Sequence, residues 1–177
     1  MTARVATVLA LAGLTAGCFQ PLYGDSKVTA SPAVGDKLGA VEVTQIDAPN
    51  GTRLARVSSV VRDNLIFDLT GGGAGQTKAY RLDVKLTSSQ VQVIVDINTA
   101  RPDIQNYGID AVYSLIDNGT GKTVVKGQTF SRVSYNIPGQ QQRFAGDRGL
   151  RDAEDRAAKE IAENIRARLQ SYFAAGT

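Results

Sequence analysis

The chain has 177 residues, of which 42% are hydrophobic, and its 20 basic and 17 acidic residues give a net charge of +3. This length suits one domain with a sizeable core, and the small net charge argues against a broad nucleic-acid-binding face. The sequence has no histidine and a single cysteine, Cys18, which excludes metal sites of the usual nitrogen or sulfur kind. Histidine-dependent nucleophilic catalysis is excluded as well. No paired acids stand out, so we predict a protein that is not an enzyme and holds no cofactor.

The first residues have the pattern of a secretory signal peptide. Arg4 supplies a positive charge, residues 5–14 are almost entirely apolar, and small residues precede Cys18. The apolar run is well short of the roughly 20 residues that cross a bilayer. Small residues followed directly by cysteine resemble a bacterial lipobox, although Thr15 stands where leucine is usual. We therefore predict a signal peptide over residues 1–17 and a covalent lipid anchor on Cys18. An ordinary cleaved signal with a cysteine nearby is the alternative.

The region after the cysteine is predicted to be a lipidated flexible tether over residues 18–38. It is rich in proline, glycine, serine and threonine and shows no apolar periodicity. Order is expected to begin near Gly39, so residues 39–177 are predicted to form a single domain. Because the sequence has no second cysteine, no internal disulfide can stabilise this domain, which must depend on its core.

The first elements of this domain are predicted to be a strand and a helix. Valines alternating with polar residues indicate a strand over residues 39–46. The loop that follows offers Asn50 or Thr52 as a helix cap. Four apolar residues then recur at helical spacing, namely Leu54, Val57, Val61 and Leu65. The glycine run over residues 71–73 ends this helix.

The next stretch is predicted to be extended, with a change of phase along it. Its apolar positions are even-numbered over residues 80–86 and odd-numbered over residues 91–97. A strand alternates its faces with a period of two, so the core face can change parity only at an irregularity. We predict one long, bent strand over residues 77–98 with a bulge or break at residues 87–89. Two separate strands are the alternative.

The remainder of the chain is predicted to hold two strands and a long helix. Alternating apolar residues predict a third strand over residues 107–116, and the sequence Asp-Asn-Gly-Thr-Gly over residues 117–121 indicates a hairpin turn. A fourth strand is predicted over residues 123–135. An apolar stripe that begins at Leu150 predicts a C-terminal amphipathic helix with its acids early and its arginines late.

The element order β-α-β-β-β-α predicts an α+β fold. Two amphipathic helices on one face of a four-stranded sheet would bury both apolar stripes, which gives a two-layer sandwich. The first connection is a strand-helix-strand crossover and the later strands are linked by hairpins, so the sheet is predicted to be mixed. The order of the strands within the sheet stays open.

The predicted topology places three connections at one end of the sheet: the end of the first strand, the turn between the second and third strands, and the loop before the last helix. These connections carry four arginines, Arg53, Arg101, Arg143 and Arg148. Arginine binds phosphate groups bidentately, so this cluster is a candidate for contact with an anionic head group. Solvated loop arginines, partly neutralised by Asp103 and Asp147, are the alternative.

The heptad Cys-Phe-Gln-Pro-Leu-Tyr-Gly over residues 18–24 resembles the mature amino terminus of the LptE family of lipopolysaccharide-assembly lipoproteins, particularly the alphaproteobacterial members. The resemblance extends through the element order and to Asp-Arg-Ala-Ala over residues 155–158. It implies a lipoprotein anchored by a palmitate-containing lipid on Cys18 to the periplasmic side of the outer membrane. Phe19, rather than the aspartate associated with inner-membrane retention, fits outer-membrane sorting.

The same resemblance implies two partners, an LptD-like β-barrel and lipopolysaccharide. Family members assemble and plug the LptD barrel and bind lipopolysaccharide through basic loop residues while it is inserted into the outer leaflet. Arg101 and Arg143 occupy comparable loops here. A periplasm-facing lipoprotein that acts as a scaffold or ligand-binding module of another envelope complex is the alternative. An enzymatic role would require a pair of acids in a cleft.

Overall fold

The computed structural model describes residues 34–72, 76–96, 101–137 and 143–175. Within these ranges the chain forms three helices and four strands. In chain order these are helix α1 (Val34–Gly39), strand β1 (Val41–Val43), helix α2 (Arg53–Thr70), strand β2 (Tyr80–Asp96), strand β3 (Arg101–Asp117), strand β4 (Thr123–Asn136) and helix α3 (Arg143–Ala174). The predicted order β-α-β-β-β-α is confirmed, with the short helix α1 added in front of it.

The four strands form one mixed sheet, as predicted, and they lie in sequence order, β1-β2-β3-β4. Strand β1 pairs in parallel with the start of β2, where Val41 lies beside Tyr80. The other two pairings are antiparallel, and β2 and β3 form a hairpin that extends from Tyr80 opposite Asp117 to Asp96 opposite Arg101. The sheet is therefore much longer along β2 and β3 than along β1.

Strand β2 is one continuous strand, as predicted, but its irregularity lies further along than expected. The register to β3 runs unbroken from Tyr80 to Gln92 and shifts only between Gln92 and Val95. A bulge at residues 87–89 is therefore wrong. The reason is that residues 87–92 are exposed on both faces of the sheet, so no core face constrains the parity of the side chains there.

Helices α2 and α3 pack against each other and against one face of the sheet, α2 over β1 and β2 and α3 over β3 and β4. The buried side chains of the strands all point to this face, as the pairing of Leu82 with Leu115 and of Val84 with Tyr113 shows. Both predicted helical stripes lie in the core, because Val61 and Leu65 of α2 and Ile161 of α3 are fully buried. The predicted two-layer sandwich is thus confirmed.

Among the residues that the structure describes, no helix covers the opposite face of the sheet, and an arginine lies across it. The Arg132 guanidinium donates to both carboxylate oxygens of Asp110, at 2.7 and 3.0 Å, and its Cζ lies 5.4 Å from the ring centre of Phe130. Gly108 leaves room for this arrangement, since a Cβ there would lie 2.8 Å from the Arg132 Cδ. The exposed Val112 and Phe130 make this face partly apolar.

Helix α1 differs from the prediction, because it occupies the last residues of the predicted tether. Leu38 is only 2% exposed and belongs to the core, and Lys78 donates hydrogen bonds to the carbonyl oxygens of Gly39 and Val41. The folded domain therefore includes the residues from Val34 to Gly39. The predicted signal peptide and the rest of the tether lie outside the described residues.

The ends of helix α2 have the caps that its sequence offered. Thr52, rather than Asn50, is the N-cap, and its Oγ1 accepts a hydrogen bond of 3.2 Å from the Ala55 amide. Gly71 ends the helix in the left-handed region, with φ of 64° and its amide bonded to the Phe67 carbonyl.

The hairpin between β3 and β4 is also confirmed. The Asp117 Oδ1 accepts a hydrogen bond of 2.8 Å from the Thr120 amide, which lowers the pKa of Asp117, and Gly121 takes a positive φ of 68°. Helix α3, however, begins at Arg143 instead of near Leu150. Its first turns are largely exposed, so their sequence has no apolar periodicity that would predict a helix there.

Candidate functional site

The structure describes the side chains of two of the four arginines of the predicted cluster, Arg53 and Arg148. Arg53 is the first residue of α2, and Arg148 lies in the second turn of α3, where both side chains are exposed. Arg101 opens β3 and Arg143 opens α3, and both of their side chains lie outside the described part of the chain. Clustering of the four side chains therefore stays a prediction.

The backbone shows which of the three connections lie near one end of the sheet. The end of β4 lies beside β3, because Asn136 pairs with Ile104, so the chain that leads to α3 starts near Arg101. The end of β1 does not lie there, since Val43 pairs with Leu82 near the start of β2. The loop over residues 44–52 carries the chain from β1 along the sheet to α2.

Arg53 lines a cleft of about 340 Å³ between the first turn of α2 and the side of α3. From α2 and the residues before it the walls are Gly51, Thr52, Arg53 and Arg56, and from α3 they are Asp147, Leu150, Arg151 and Glu154. The α3 residues recur at spacings of three and four and thus form one face of the helix. Arg148 is not part of this lining.

A cluster of charged side chains joins the two helices at the cleft. Arg56 donates one hydrogen bond to Glu154 and a second, of 2.9 Å, to Asp155. Glu154 is 2% exposed and Arg56 is 38% exposed, so the pair is buried mainly on the side of the carboxylate. Burial acts to lower the pKa of Arg56, but the hydrogen bonds to the two acids outweigh burial and raise it above its usual value.

One oxygen of Glu154 is left without a partner. Oε2 accepts the hydrogen bond from Arg56, whereas Oε1 is buried and accepts none from any residue of the described ranges. A buried carboxylate oxygen is normally satisfied by a donor, because leaving it unpaired carries a desolvation penalty. Glu154 lines the cleft, but its Oε1 is buried and not accessible from it.

Two tyrosines of the sheet lie within electrostatic range of this cluster. Burial raises the pKa of both Tyr107 and Tyr135, the Glu154 charge reinforces the shift, and the Arg53 charge opposes it. The Tyr135 hydroxyl donates a hydrogen bond of 2.5 Å to the Gln105 Oε1 on the neighbouring strand. The charges of the cleft therefore act on the polar part of the core face of the sheet.

A second groove, of about 680 Å³, lies between the end of β4 and the first half of α3. Ile104, Tyr135 and Ile137 form its apolar side. An ion pair of 2.8 Å between Arg156 and Asp152 borders it on α3. Both partners of that pair are more than half exposed, so it adds little stability.

Of the residues that line the cleft, only Arg53 belonged to the predicted site, and the charged residues Arg56, Arg151 and Glu154 were missed. The signal for Glu154 was available, because this acid lies at helical spacing between Leu150 and Ala158 within an apolar stripe. Its arginine partner lies on another helix, and helical periodicity carries no information about which helices pack together.

Neither a metal centre nor a membrane-spanning helix is found where the structure describes the chain. None of the helices there combines the length and the hydropathy needed to cross a bilayer. The described acids do not come together in any group of three that could hold a metal ion.

Comparison with known proteins identifies the family. The family model described as "LptE: Lipopolysaccharide-assembly" matches residues 38–169. A putative lipoprotein from Caulobacter crescentus has a similar structure, with a TM-score of 0.62 and 22% sequence identity over 80% of this chain and 96% of that one. A minor lipoprotein from Acinetobacter baumannii gives a TM-score of 0.53 and 13% identity over 74% of this chain and 88% of that one.

These two similarities show that the fold is shared. Among curated proteins, no sequence relative matches the chain. The family match is the stronger finding, because it extends from helix α1 to the last turns of helix α3 and includes every strand. The chain therefore belongs to the LptE family of lipopolysaccharide-assembly proteins.

Proposed function

We propose that this protein is a non-enzymatic outer-membrane lipoprotein that assembles and plugs an LptD-like β-barrel. The observation that carries this proposal is the family match over residues 38–169. The anchor would be a lipid on Cys18 after removal of residues 1–17, which holds the domain on the periplasmic side of the outer membrane. The long two-layer domain, with its open and partly apolar sheet face, has the surface that a protein partner requires.

We further propose that the protein contacts lipopolysaccharide while this lipid is inserted into the outer leaflet. The candidates for that contact are the predicted arginines, Arg53, Arg101, Arg143 and Arg148. Guanidinium groups suit phosphate because they donate two parallel hydrogen bonds to it. The exposure of Arg53 and Arg148 supports the proposal, since an exposed guanidinium is free to meet a large ligand.

Two experiments test the barrel proposal. A tagged chain is purified from solubilised outer membranes, and we expect a large β-barrel protein to co-purify with it. The protein is then depleted, and we expect the barrel to lose the electrophoretic shift on heating that marks its folded form. A barrel that still assembles normally after depletion would contradict the proposal and favour a role in another envelope complex.

Lipopolysaccharide contact is tested with charge reversals and a matched control. The double variant R101E/R143E is compared with Arg168→Glu, an exposed arginine near the other end of α3. We expect the double variant to bind dispersed lipopolysaccharide at least tenfold more weakly and the control to bind like wild type. Equal binding by both proteins would reduce the loop arginines to ordinary surface charge. Unchanged circular dichroism in each variant shows that the domain is folded.

A further inference from the structure

Strand β4 forms an outer edge of the sheet that has no neighbouring strand on one side. The strand order β1-β2-β3-β4 leaves β4 paired with β3 alone, and this pairing runs without a register shift from Val125 to Asn136. At about 3.3 Å per residue, the regular stretch is roughly 40 Å long. The free side of residues 125–136 is called the β4 edge.

The backbone hydrogen bonds define which residues of β4 face outward. The Tyr80 amide and the Leu82 carbonyl of β2 are bonded to the residues on either side of β1. Alternation across the two antiparallel pairings then directs the odd-numbered residues of β4 to β3 and the even-numbered residues away from the sheet. The outward residues include Lys126, Gln128, Phe130, Arg132 and Ser134. In the described ranges, no backbone group outside the sheet bonds to them.

The β4 edge has few of the features that keep natural edge strands from pairing with another chain. Residues 123–136 contain no proline, and no bulge interrupts the regular stretch. The sequence is rich in valine, threonine and aromatic residues, which favour strands. Arg156 of α3 reaches the Ser134 carbonyl only at 3.5 Å, the limit of a hydrogen bond. A long edge of this kind is a template for the addition of a further strand.

A groove beside the edge supplies space for the side chains of an added strand. The groove of about 680 Å³ between the end of β4 and α3 is lined by the outward residues Ser134 and Asn136. Apolar Ile137 and the small residues Ala145 and Gly149 also line it. Strand addition gains affinity from backbone hydrogen bonds and specificity from pockets for alternate side chains. Both parts are therefore present at the end of β4.

The charge of the edge indicates the chemistry of the occupant. Residues 123–136 contain Lys126 and Arg132 but no acid. Arg132 is paired with Asp110, whereas Lys126 is exposed and forms no ion pair with a described residue. In the row of side chains across the sheet that contains Lys126, the acid is Asp83, two strands away and paired with Arg81. An acid on an added strand would meet an unpaired cation, whereas a second copy of β4 would bring only more positive charge.

We propose that the β4 edge is a docking site for an extended segment of a partner protein, which joins the sheet as a fifth strand. The segment carries an acidic residue beside Lys126 and apolar side chains in the groove beside α3. Its backbone supplies donors and acceptors to the outward amides and carbonyls of β4, which a lipid surface does not. The proposal goes beyond the proposed function, because it concerns the way in which a protein partner is held and does not depend on the identity of that partner.

Hydrogen exchange at single amides tests the proposal. Deuterium uptake of the full-length protein is measured in intact cell envelopes and in the purified protein in detergent, by mass spectrometry with residue-resolved fragmentation. In envelopes we expect the outward amides to exchange about tenfold more slowly, because pairing protects them, whereas the inward amides are already protected by β3. Equal exchange in both preparations would overturn the proposal. Slow exchange in the purified protein that disappears on dilution would identify a second copy as the occupant and would overturn it as well.

Proline at position 128 removes one outward amide. Gln128→Pro leaves the bonds to β3 in place, since proline is tolerated where the N–H of an edge strand faces solvent. Gln128→Thr is the matched control and keeps the amide. In envelopes we expect the protection at Lys126 and Phe130 to fall about tenfold in the proline variant and to remain in the threonine variant. Thermal unfolding checks that each variant is folded, and equal protection in the two would contradict strand pairing.

A charge reversal tests the acidic character of the partner and does not require the edge to tolerate proline. Lys126→Glu is compared with Lys85→Glu, which changes an exposed lysine on the same face of the sheet, two strands away. We expect the protection at Gln128 and Phe130 to fall severalfold in the first variant only, because like charges on neighbouring strands repel. Equal protection in wild type and both variants would overturn the acidic occupant.

Depletion of the proposed barrel partner separates this inference from the proposed function. Protection that is lost on depletion assigns the added strand to the barrel, and protection that remains assigns it to another envelope protein. The β4 edge is a docking site in both cases. Protection of the edge without recovery of a barrel would be a failure of the proposed function alone, and recovery of a barrel without protection would be a failure of the docking site alone.

Discussion

The interface between the helices and the sheet differs between its two halves. In the half next to α1 the buried side chains are mainly apolar. Those at most 4% exposed include Val61, Leu65, Leu69, Leu82, Leu115, Ile161, Ile165 and Leu169. In the half next to the cleft, the same two helices pair Arg56 with Glu154, and the Glu154 charge acts on Tyr107 and Tyr135 of the sheet. Ser58 of α2 is buried as well. The comparison teaches that one half is built to stabilise the fold and the other to present polar groups. Burial of apolar area is the main stabilising contribution in folding, whereas buried charges roughly break even at best.

Truncation in the apolar half is expected to have the largest effect on stability. Leu65→Ala removes a fully buried side chain and should lower the free energy of unfolding by about 2–5 kcal/mol. Val112→Ala on the open face, where the side chain is 58% exposed, is the control and should change it by less than about 0.5 kcal/mol. Urea denaturation of both variants measures the difference, and similar midpoints would mean that the two faces are not energetically distinct.

Removal of the charged link between the helices is expected to cost less. Arg56→Ala leaves the Glu154 carboxylate buried without its donor and should destabilise the protein by about 1–3 kcal/mol. Arg156→Ala breaks the exposed pair with Asp152 and should cost only about 0.5 kcal/mol or less. A double variant, R56L/E154L, should recover most of the loss because it removes both charges. Guanidinium chloride unfolding distinguishes these cases, and equal losses for Arg56→Ala and Arg156→Ala would contradict a buried role for Glu154.

Loss of the cap of α2 is expected to have a smaller effect. Thr52→Ala removes the acceptor of the Ala55 amide and should destabilise the protein by about 1 kcal/mol. Thr52→Ser keeps that acceptor and should leave the stability close to wild type. Thermal unfolding followed by circular dichroism checks both. If serine fails to rescue, the threonine methyl group rather than the cap provides the stabilisation.

Alkaline pH should slightly lower the free energy of unfolding, because both halves of the interface contain buried tyrosines. Burial raises the pKa of Tyr80, Tyr107, Tyr113 and Tyr135 above the model-compound value of 10.0. A raised pKa in the folded state means that the unfolded chain releases these protons first, so stability is complete below pH 10 and falls as the pH rises above it. Urea midpoints at pH 8 and pH 11 should differ in that direction. Tyr107→Phe should reduce the difference, whereas an unchanged difference would exclude Tyr107 as a contributor.

Local patterns predicted most of the fold, because the residues that specify each element are neighbours in the chain. The stripe through Val57, Val61 and Leu65 and the turn over residues 117–121 each needed only a few positions of sequence. Helix α1 was missed because it is short and its single core residue, Leu38, lies in an otherwise tether-like composition. The start of α3 was missed because an exposed helix has no apolar period.

The candidate site was less accessible from the sequence than the fold. Arg53 is the first residue of α2, and its neighbours in the cleft, Arg151 and Glu154, come from a helix about 100 positions further along the chain. Only the packing of α2 against α3 brings these side chains together. That packing depends on how both helices lie on the sheet. An acid inside an apolar stripe, as at Glu154, is a local sequence feature that indicates a buried polar contact.

The long β2–β3 hairpin has a consequence for distance. The described chain enters the core at α1, beside the start of β2. Arg53 of the cleft lies near Tyr107, since its charge opposes the rise in the pKa of that residue, and Tyr107 pairs with Gln90 further along β2. At about 3.3 Å per residue, the stretch of β2 from Tyr80 to Gln90 separates the two places by roughly 30 Å. That is about the thickness of the hydrocarbon layer of a membrane. The sheet therefore acts as a rigid spacer, which holds the cleft about this distance away from α1, where the described chain enters the core.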